Sequence, residues 1–295
     1  MSGSDSPDRV EFPRPRAEPT YAAPVRIVLF GVRGSTPAPG PDFVRYGGHT
    51  SCVGVVPEGG AQPTLVLDAG TGLRELTPYL GGEPFRGTIL VSHLHWDHVQ
   101  GLPFFAAGDR PDAKVDLYVP AQNARSGRDL LAAAMAPPNF PITPEGLEGE
   151  WTFNAVDAGY HTIEGFRIRA TDVEHKGGRT FGYRISDETG SMAYIPDHVV
   201  SHGIDDAVRD LILDVDVLLH DAQFLDRERP TADNYGHSTV EDAVRLAREC
   251  GVRHLVLFHH GPARKDDALD EIAAMYPSDF VTVATQGSEI QVSRP

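Results

Sequence analysis

The segment SHLHWDH at residues 92–98 constrains this chain more than any other feature. It follows the apolar run GTILV, which is typical of a buried strand, and it places His93, His95, Asp97 and His98 within six positions. Because His93 and His95 are two residues apart at a strand end, their side chains point to the same side. Three imidazoles and one carboxylate therefore converge on one spot, and this donor set suits zinc, manganese or iron.

Further donors stand at the ends of later apolar runs. His175 follows FRIRATDVE, Asp197 ends MAYIPD and His259 ends HLVLFH. Loops at strand ends are where functional sites gather. Taken alone, each of the three residues also fits a purely structural role: a histidine whose hydrogen bonds are made within the fold, or an aspartate that caps a turn. Together with the first cluster they predict a metal centre, with His260 as the alternative to His259.

Hydrophobic periodicity predicts a mixed fold. Strand-like runs begin at Val25 and recur through the chain, and the main helical patterns cover 127–136, 238–250 and 264–276. Ser238 and Glu241 form a predicted capping box at the start of the second helix. Strands come in runs with helices later in each half, which favours two packed sheets with helices outside.

Composition excludes several classes of function. The chain has 26 Lys and Arg against 42 Asp and Glu, a net charge of −16, which disfavours capture by nucleic acid or an anionic membrane. Its apolar runs are far shorter than the ~20 residues of a membrane span, and its start lacks a signal-peptide core. With two cysteines and no disulfide framework, we expect a cytoplasmic protein without membrane partners. The polar, proline-rich residues 1–24 are predicted to be a disordered tail.

HLHWDH, taken with His175, Asp197 and His259, resembles the pattern of the metallo-β-lactamase-fold superfamily. LDAGTG resembles the first motif of that superfamily, and the resemblance makes Asp68 a support for the metal ligands. The motif is specific for the fold but not for the substrate, because the superfamily includes lactamases, thioesterases, lactonases, sulfatases and nucleases.

The resemblance implies an α+β fold, a four-layered αβ/βα sandwich, in one catalytic domain over 25–295. It also implies two divalent metal ions, with zinc expected and manganese or iron as alternatives. The ligands it implies for the first ion are His93, His95 and His175. Those for the second are Asp97, His98 and His259, and Asp197 bridges the two ions.

DVLLHDAQF and NYGHSTVEDA, which contain His220, Asp221 and His237, resemble elements of ribonuclease Z-like phosphodiesterases, with Asp in place of Glu. In that family the histidine of the second element protonates the leaving group and the carboxylate orients it. The catalytic residues implied here are therefore Asp97, Asp221 and His237, with His220 supporting them. An alkoxide leaving from phosphorus needs such a proton. As an alternative, His237 caps the following helix.

The expected substrate is a small phosphodiester, a cyclic nucleotide included, attacked by a hydroxide that bridges the two metals. Only 197 − 175 = 22 positions separate His175 from Asp197, which leaves no room for a basic arm that grips transfer RNA. The segment at 30–52 resembles a bacterial subgroup whose relatives cleave cyclic phosphodiesters. Within it, Arg33 and Ser35 either place donors near the metals or form a turn that packs against the sheet.

Two rival functions stay open. One is another hydrolase of the same fold, acting on a lactone, thioester or sulfate ester. The other is a non-catalytic module that keeps the metals to bind a ligand. By the same resemblance, we expect a homodimer.

Overall fold

A computed structural model describes residues 25–200 and 203–293, so the predicted tail at 1–24 lies outside the described residues. The strands in this part are β1 Val25–Gly31, β2 Cys52–Val56, β3 Leu65–Leu67, β4 Arg86–Leu90, β5 Lys114–Pro120, β6 Glu150–Val156, β7 Gly159–Ile163, β8 Phe166–Val173, β9 Thr180–Ser186, β10 Ser191–Ile195, β11 Val217–Asp221, β12 His254–Phe258, β13 Val281–Val283 and β14 Glu289–Val292. The α-helices are α1 Leu73–Tyr79, α2 Trp96–Val99, α3 Gly127–Ala132, α4 Asp206–Ile212, α5 Arg229–Tyr235, α6 Val240–Glu249 and α7 Asp266–Ala274. Short 3₁₀ turns lie at Pro41–Phe43, Leu102–Phe104, Pro144–Gly146 and Asp226–Glu228.

The strands form two mixed sheets that pack face to face. The first has the order β14-β1-β2-β3-β4-β5-β6 and the second β13-β12-β11-β10-β9-β8-β7. Buried side chains from both sheets meet in a central core, among them Leu29, Leu67, Tyr183 and Phe258. Helices α1 to α3 cover the outer face of the first sheet, and α4, α6 and α7 cover that of the second. The predicted four-layered sandwich is therefore confirmed.

The N-cap of helix α6 lies one residue later than predicted. Its N-cap is Thr239, whose Oγ1 accepts from the Asp242 backbone N–H, and the Asp242 carboxylate accepts from the Thr239 N–H in return. The prediction of Ser238 and Glu241 as the capping pair was wrong. Ser238 is buried and its Oγ donates to the backbone oxygen of His198 at 2.6 Å, so this hydroxyl is used to hold a neighbouring loop.

Parallel strand pairs place the predicted donors at one edge of the two sheets. Strands β3 and β4 run parallel, so Asp68 and His93 follow them at the same end. Strands β10, β11 and β12 are also parallel, and Asp197, Asp221 and His259 stand at or just after their carboxyl ends. Because the carboxyl ends of parallel strands meet at one sheet edge, residues far apart in sequence come together there.

No helix among the described residues is long and apolar enough to cross a membrane. Both cysteines, Cys52 and Cys250, are buried free thiols.

Candidate active site

Three histidines form the first group of donors. The rings of His93 and His95 lie 4.4 Å apart between centroids, and the ring of His175 is 5.0 and 5.1 Å from them. His175 Nδ1 donates to the backbone oxygen of Gly236 at 2.6 Å, which leaves its Nε2 free to face His95. One nitrogen from each histidine lies within 4.8 Å of the others, close enough for a single cation.

A second group lies beside the first. His259 Nε2 is 3.1 Å from Asp97 Oδ2, and His98 Nε2 is 3.2 Å from the same oxygen. Asp197 lies between the groups: its Oδ2 is 3.1 Å from His98 Nε2, and its Oδ1 is 3.6 Å from His175 Nε2. The structure thus brings all seven predicted donors together, with one carboxylate in contact with both groups.

The donor atoms fit divalent cations. Among the described residues, four buried atoms of this cluster have no hydrogen-bond partner: His93 Nε2, His98 Nε2, Asp197 Oδ2 and His259 Nδ1. Each such atom costs about 1–3 kcal/mol when it stays unpaired. Burial, helped by neighbouring imidazoles, lowers the pKa of His93 and of His95, which keeps their nitrogens neutral and able to bind a metal. Imidazoles and carboxylates converging in a buried site are the donor set of zinc, manganese or iron.

Asp68 supports this cluster from beneath. Its Oδ2 accepts from His98 Nδ1 at 2.6 Å, from Tyr194 Oη at 2.8 Å and from Ser92 Oγ at 2.9 Å. Because a carboxylate only accepts, His98 must carry its proton on Nδ1, and its Nε2 points towards Asp197. Sequence reasoning found Asp68 but missed Ser92 and Tyr194. The position of Ser92 next to His93 was the available signal for the serine.

His237 and Asp221 form a buried pair at the edge of the donor cluster. Asp221 Oδ2 accepts from His237 Nδ1 at 2.8 Å, and the His237 ring lies 5.3 Å from the ring of His259. Burial by itself would lower the pKa of His237, but the charge and hydrogen bond of Asp221 raise it to about 9. The pairing with Asp221 therefore favours the protonated imidazole.

Three other histidines sit apart from the donors. His220 Nδ1 donates to the backbone oxygen of Asp221, and its Nε2 lies 3.0 Å from His198 Nδ1. His220 thus contacts the backbone of Asp221 and the ring of His198, and it reaches the donor cluster through these neighbours. His198 was not among the predicted site residues, and it lies in the same buried layer as His220. His260 turns away from the cluster, with its Nε2 2.8 Å from the backbone oxygen of Ala284, while His259 lies inside it.

Arg33 does not point into the site. It is fully buried, its Nε donates to the backbone oxygen of Gly47 at 2.7 Å, and its Nη1 donates to that of Arg264 at 2.6 Å. Arg33 therefore links two loops. Of the two roles expected for this segment, the structure gives Arg33 the packing role and not that of a donor near the metals. Ser35, by contrast, lines the cavity beside the donors.

A cavity of about 1170 Å³ opens over the donors. His95, Asp97, Asp197, His237 and His259 lie on its floor. Its other lining residues include Phe224 and Glu228 from the segment between β11 and α5, Tyr235 at the end of α5, and Arg264 from the loop between β12 and α7. The ring of Phe224 is 5.9 Å from that of His237, so an aromatic wall adjoins this imidazole.

Comparisons with known proteins agree with this architecture. The family described as "Beta-lactamase superfamily domain" matches residues 64–260. A curated relative named Ribonuclease Z, from Gemmatimonas aurantiaca, is 23% identical over 282 residues, covering 78% of this chain and 87% of the relative. A solved diphosphatase of the PhnP family has a TM-score of 0.66 at 20% identity, covering 92% of this chain and all of that chain. The short form of human tRNase Z has a TM-score of 0.65 at 19% identity, over 91% of this chain and all of that one.

These relatives bear on two sequence expectations. Their names do not support the exclusion of transfer RNA that was drawn from charge and from the short gap between His175 and Asp197. They do agree with the ribonuclease Z-like pattern found in the motifs. The chain belongs to the β-lactamase superfamily, as a ribonuclease Z-like, metal-dependent hydrolase.

Proposed function

We propose that this protein is a dinuclear metal-dependent phosphodiesterase that acts on small phosphodiesters, cyclic nucleotides included. The observation that carries the proposal is the pair of His237 and Asp221, joined by a 2.8 Å hydrogen bond beside the donor cluster. A good leaving group departs as an anion without taking up a proton, so a hydrolase with such a substrate does not need a buried imidazole that a carboxylate keeps protonated.

The proposed ligands fall into two sets that share one carboxylate. The set for the first cation is His93, His95 and His175, the set for the second is Asp97, His98 and His259, and Asp197 belongs to both. When bound, two such cations supply an activated water and neutralise the charge on phosphate oxygens. Zinc is the proposed metal, since imidazole and carboxylate donors suit it.

The chain's own residues then orient and protonate the substrate. Asp221 fixes the His237 ring through Nδ1, which leaves Nε2 as the nitrogen that donates to the departing oxygen. Asp68 fixes His98 in the same way, through Nδ1. The pocket beside His237 has the aromatic wall of Phe224, which suits a planar or apolar leaving group.

A substitution series tests the role of His237. His237→Ala should slow cleavage of a diester with an alkoxide leaving group by about 10²–10⁴-fold, yet change cleavage of a nitrophenyl diester little, because nitrophenolate leaves without a proton. His161→Ala, in strand β7, is the matched control and should leave both rates unchanged. Equal losses on both diesters would contradict the proposed role.

A second candidate is cleavage of RNA, favoured by the names of the curated relatives. Two features favour the small substrate instead. The net charge is −16, and between His175 and Asp197 the chain forms only the strands β9 and β10 and their connections. A precursor transfer RNA and a small cyclic diester, assayed side by side, separate the candidates. A homodimer stays a prediction, to be checked by light scattering.

A further inference from the structure

Ser35 lies at the donor cluster in a backbone conformation that serine rarely adopts. Its φ is 62°, in the left-handed region, whereas most residues found there are glycine. Its backbone N–H donates to Asp97 Oδ2 at 2.7 Å, so the strained residue is fastened to a proposed metal ligand. Strained residues of this kind persist where the surroundings hold them in place, and they concentrate at functional sites.

The preceding residue explains how Ser35 comes so close. Gly34 is buried, and a Cβ added there would lie 2.4 Å from His259 Nδ1 and 2.8 Å from Gln223 Oε1. Only glycine fits this approach. The chain therefore passes directly over the donor cluster and delivers the side chain of Ser35 into the cavity.

Gln223 fixes the direction of the Ser35 hydroxyl. Its Nε2 donates to Ser35 Oγ at 3.2 Å, which occupies a lone pair of the hydroxyl and leaves the O–H free to donate. Gln223 is itself held, because its backbone N–H donates to Asp221 Oδ1 at 3.0 Å and its backbone oxygen accepts from Arg264. Among the described residues, the buried Oε1 of Gln223 has no partner, so the amide is oriented towards Ser35 at a cost.

We propose that Ser35 is a substrate-binding residue that donates its hydroxyl proton to a non-bridging phosphoryl oxygen, and that Gln223 is the positioning residue for that hydroxyl. This inference rests on the proposed phosphodiesterase function. The donor is built into the fold beside the cations' ligands, where negative charge accumulates on the phosphoryl group during the reaction.

Ser35→Gly is the decisive variant. Glycine keeps the backbone N–H that donates to Asp97, tolerates a φ of 62° and removes the hydroxymethyl side chain. We expect unchanged metal content and a melting temperature no lower than that of the wild type. We also expect kcat/KM on a nitrophenyl phosphodiester to fall about 10- to 100-fold, and inorganic phosphate to bind correspondingly more weakly by calorimetry.

Asp214→Gly is the matched control. Asp214 is an exposed residue with a φ of 52°, in the turn that precedes β11, at the opposite end of that strand from Asp221. It should likewise keep its thermal stability, but with full activity and full phosphate affinity.

Gln223→Leu tests the positioning role. As a single substitution, Gln223→Leu should lower kcat/KM relative to the wild type. The double variant Ser35→Gly/Gln223→Leu should have the same kcat/KM as Ser35→Gly alone, to within about twofold. Activity and phosphate affinity of Ser35→Gly at wild-type levels would overturn the proposal. So would a loss from Gln223→Leu that persists undiminished in the Ser35→Gly background. If the wild type cleaves no phosphodiester, the proposed function fails, whereas weaker binding of inorganic phosphate to Ser35→Gly still supports the inference.

Discussion

Replacing Asp221 by asparagine removes the charge that keeps His237 protonated while preserving the size of the side chain. Burial lowers the pKa of His237, and Asp221 raises it to about 9 against an ordinary value of 6.5. That difference corresponds to about 3 kcal/mol of preference for the imidazolium. Without the carboxylate charge, we expect the pKa of His237 to fall back towards 6.5.

The change in protonation has a definite size. At pH 8 a group with a pKa of about 9 is roughly nine-tenths protonated, and one at 6.5 is about 3% protonated. Asp221→Asn should therefore slow cleavage of an alkyl phosphodiester at pH 8 roughly 30-fold or more, with a much smaller effect on a nitrophenyl diester.

The assay has two parts. NMR titration of the His237 ring in metal-free protein measures the pKa in wild type and variant, and pH–rate profiles follow cleavage of the alkyl diester. In the variant the alkaline loss of activity should begin at a lower pH. The same His237 pKa in both proteins would show that the Asp221 charge does not control the proton on His237.

Three further predictions concern the metal centre and stability. Asp68→Asn should weaken metal binding about 10- to 100-fold in metal-buffered titrations, because the carboxylate holds His98 through a 2.6 Å hydrogen bond; unchanged affinity would contradict this role. Removal of cations by a chelator should lower the melting temperature, by the equivalent of about 2.7 kcal/mol for each cation present at a hundredfold excess over its Kd, and an unchanged melting temperature would argue against cation binding. Burial lowers the pKa of His260 from 6.5 to about 3. Above pH 6.5 the imidazole is neutral in both the folded and the unfolded chain, so it costs the folded protein no stability. As the pH falls below 6.5 the imidazole gains a proton in the unfolded chain only, and the folded protein loses stability. By pH 5 the part of the loss due to His260 is about 2 kcal/mol, and His260→Gln should reduce the acid-induced loss measured by urea unfolding of the metal-free protein by about that amount; equal acid sensitivity in both proteins would show that other groups, such as His93 and His95, account for all of it.

The donor residues could be predicted because their pattern is local. His93, His95, Asp97 and His98 occupy one short segment after a buried strand, and parallel pairing then fixes where the later strands end. The position of Asp197 follows from the end of β10, because the residue lies just after that strand. The two packed sheets could also be predicted, since continuous apolar runs mark central strands that are buried on both faces.

The surroundings of the donors could not be predicted in the same way. In the sequence, Tyr194 looks like any other apolar residue of a buried strand. Its hydroxyl reaches Asp68 only because the two sheets pack against each other. Gln223 and Ser35 are 188 positions apart and meet only through the tertiary fold. The edge strands β6 and β7 are partly exposed, so they lack the apolar runs that identify β1 or β12.

The most direct test of the proposed phosphodiesterase activity is turnover by protein whose metal content has been measured. One panel would hold an alkyl and a nitrophenyl phosphodiester, 3′,5′- and 2′,3′-cyclic nucleotides, a precursor transfer RNA, a lactone, a thioester and a sulfate ester. We predict about two divalent cations per chain and cleavage of small phosphodiesters, with no turnover of the lactone, thioester or sulfate ester. Two cations with cleavage of the lactone or thioester, and none of the phosphodiesters, would contradict the proposed activity.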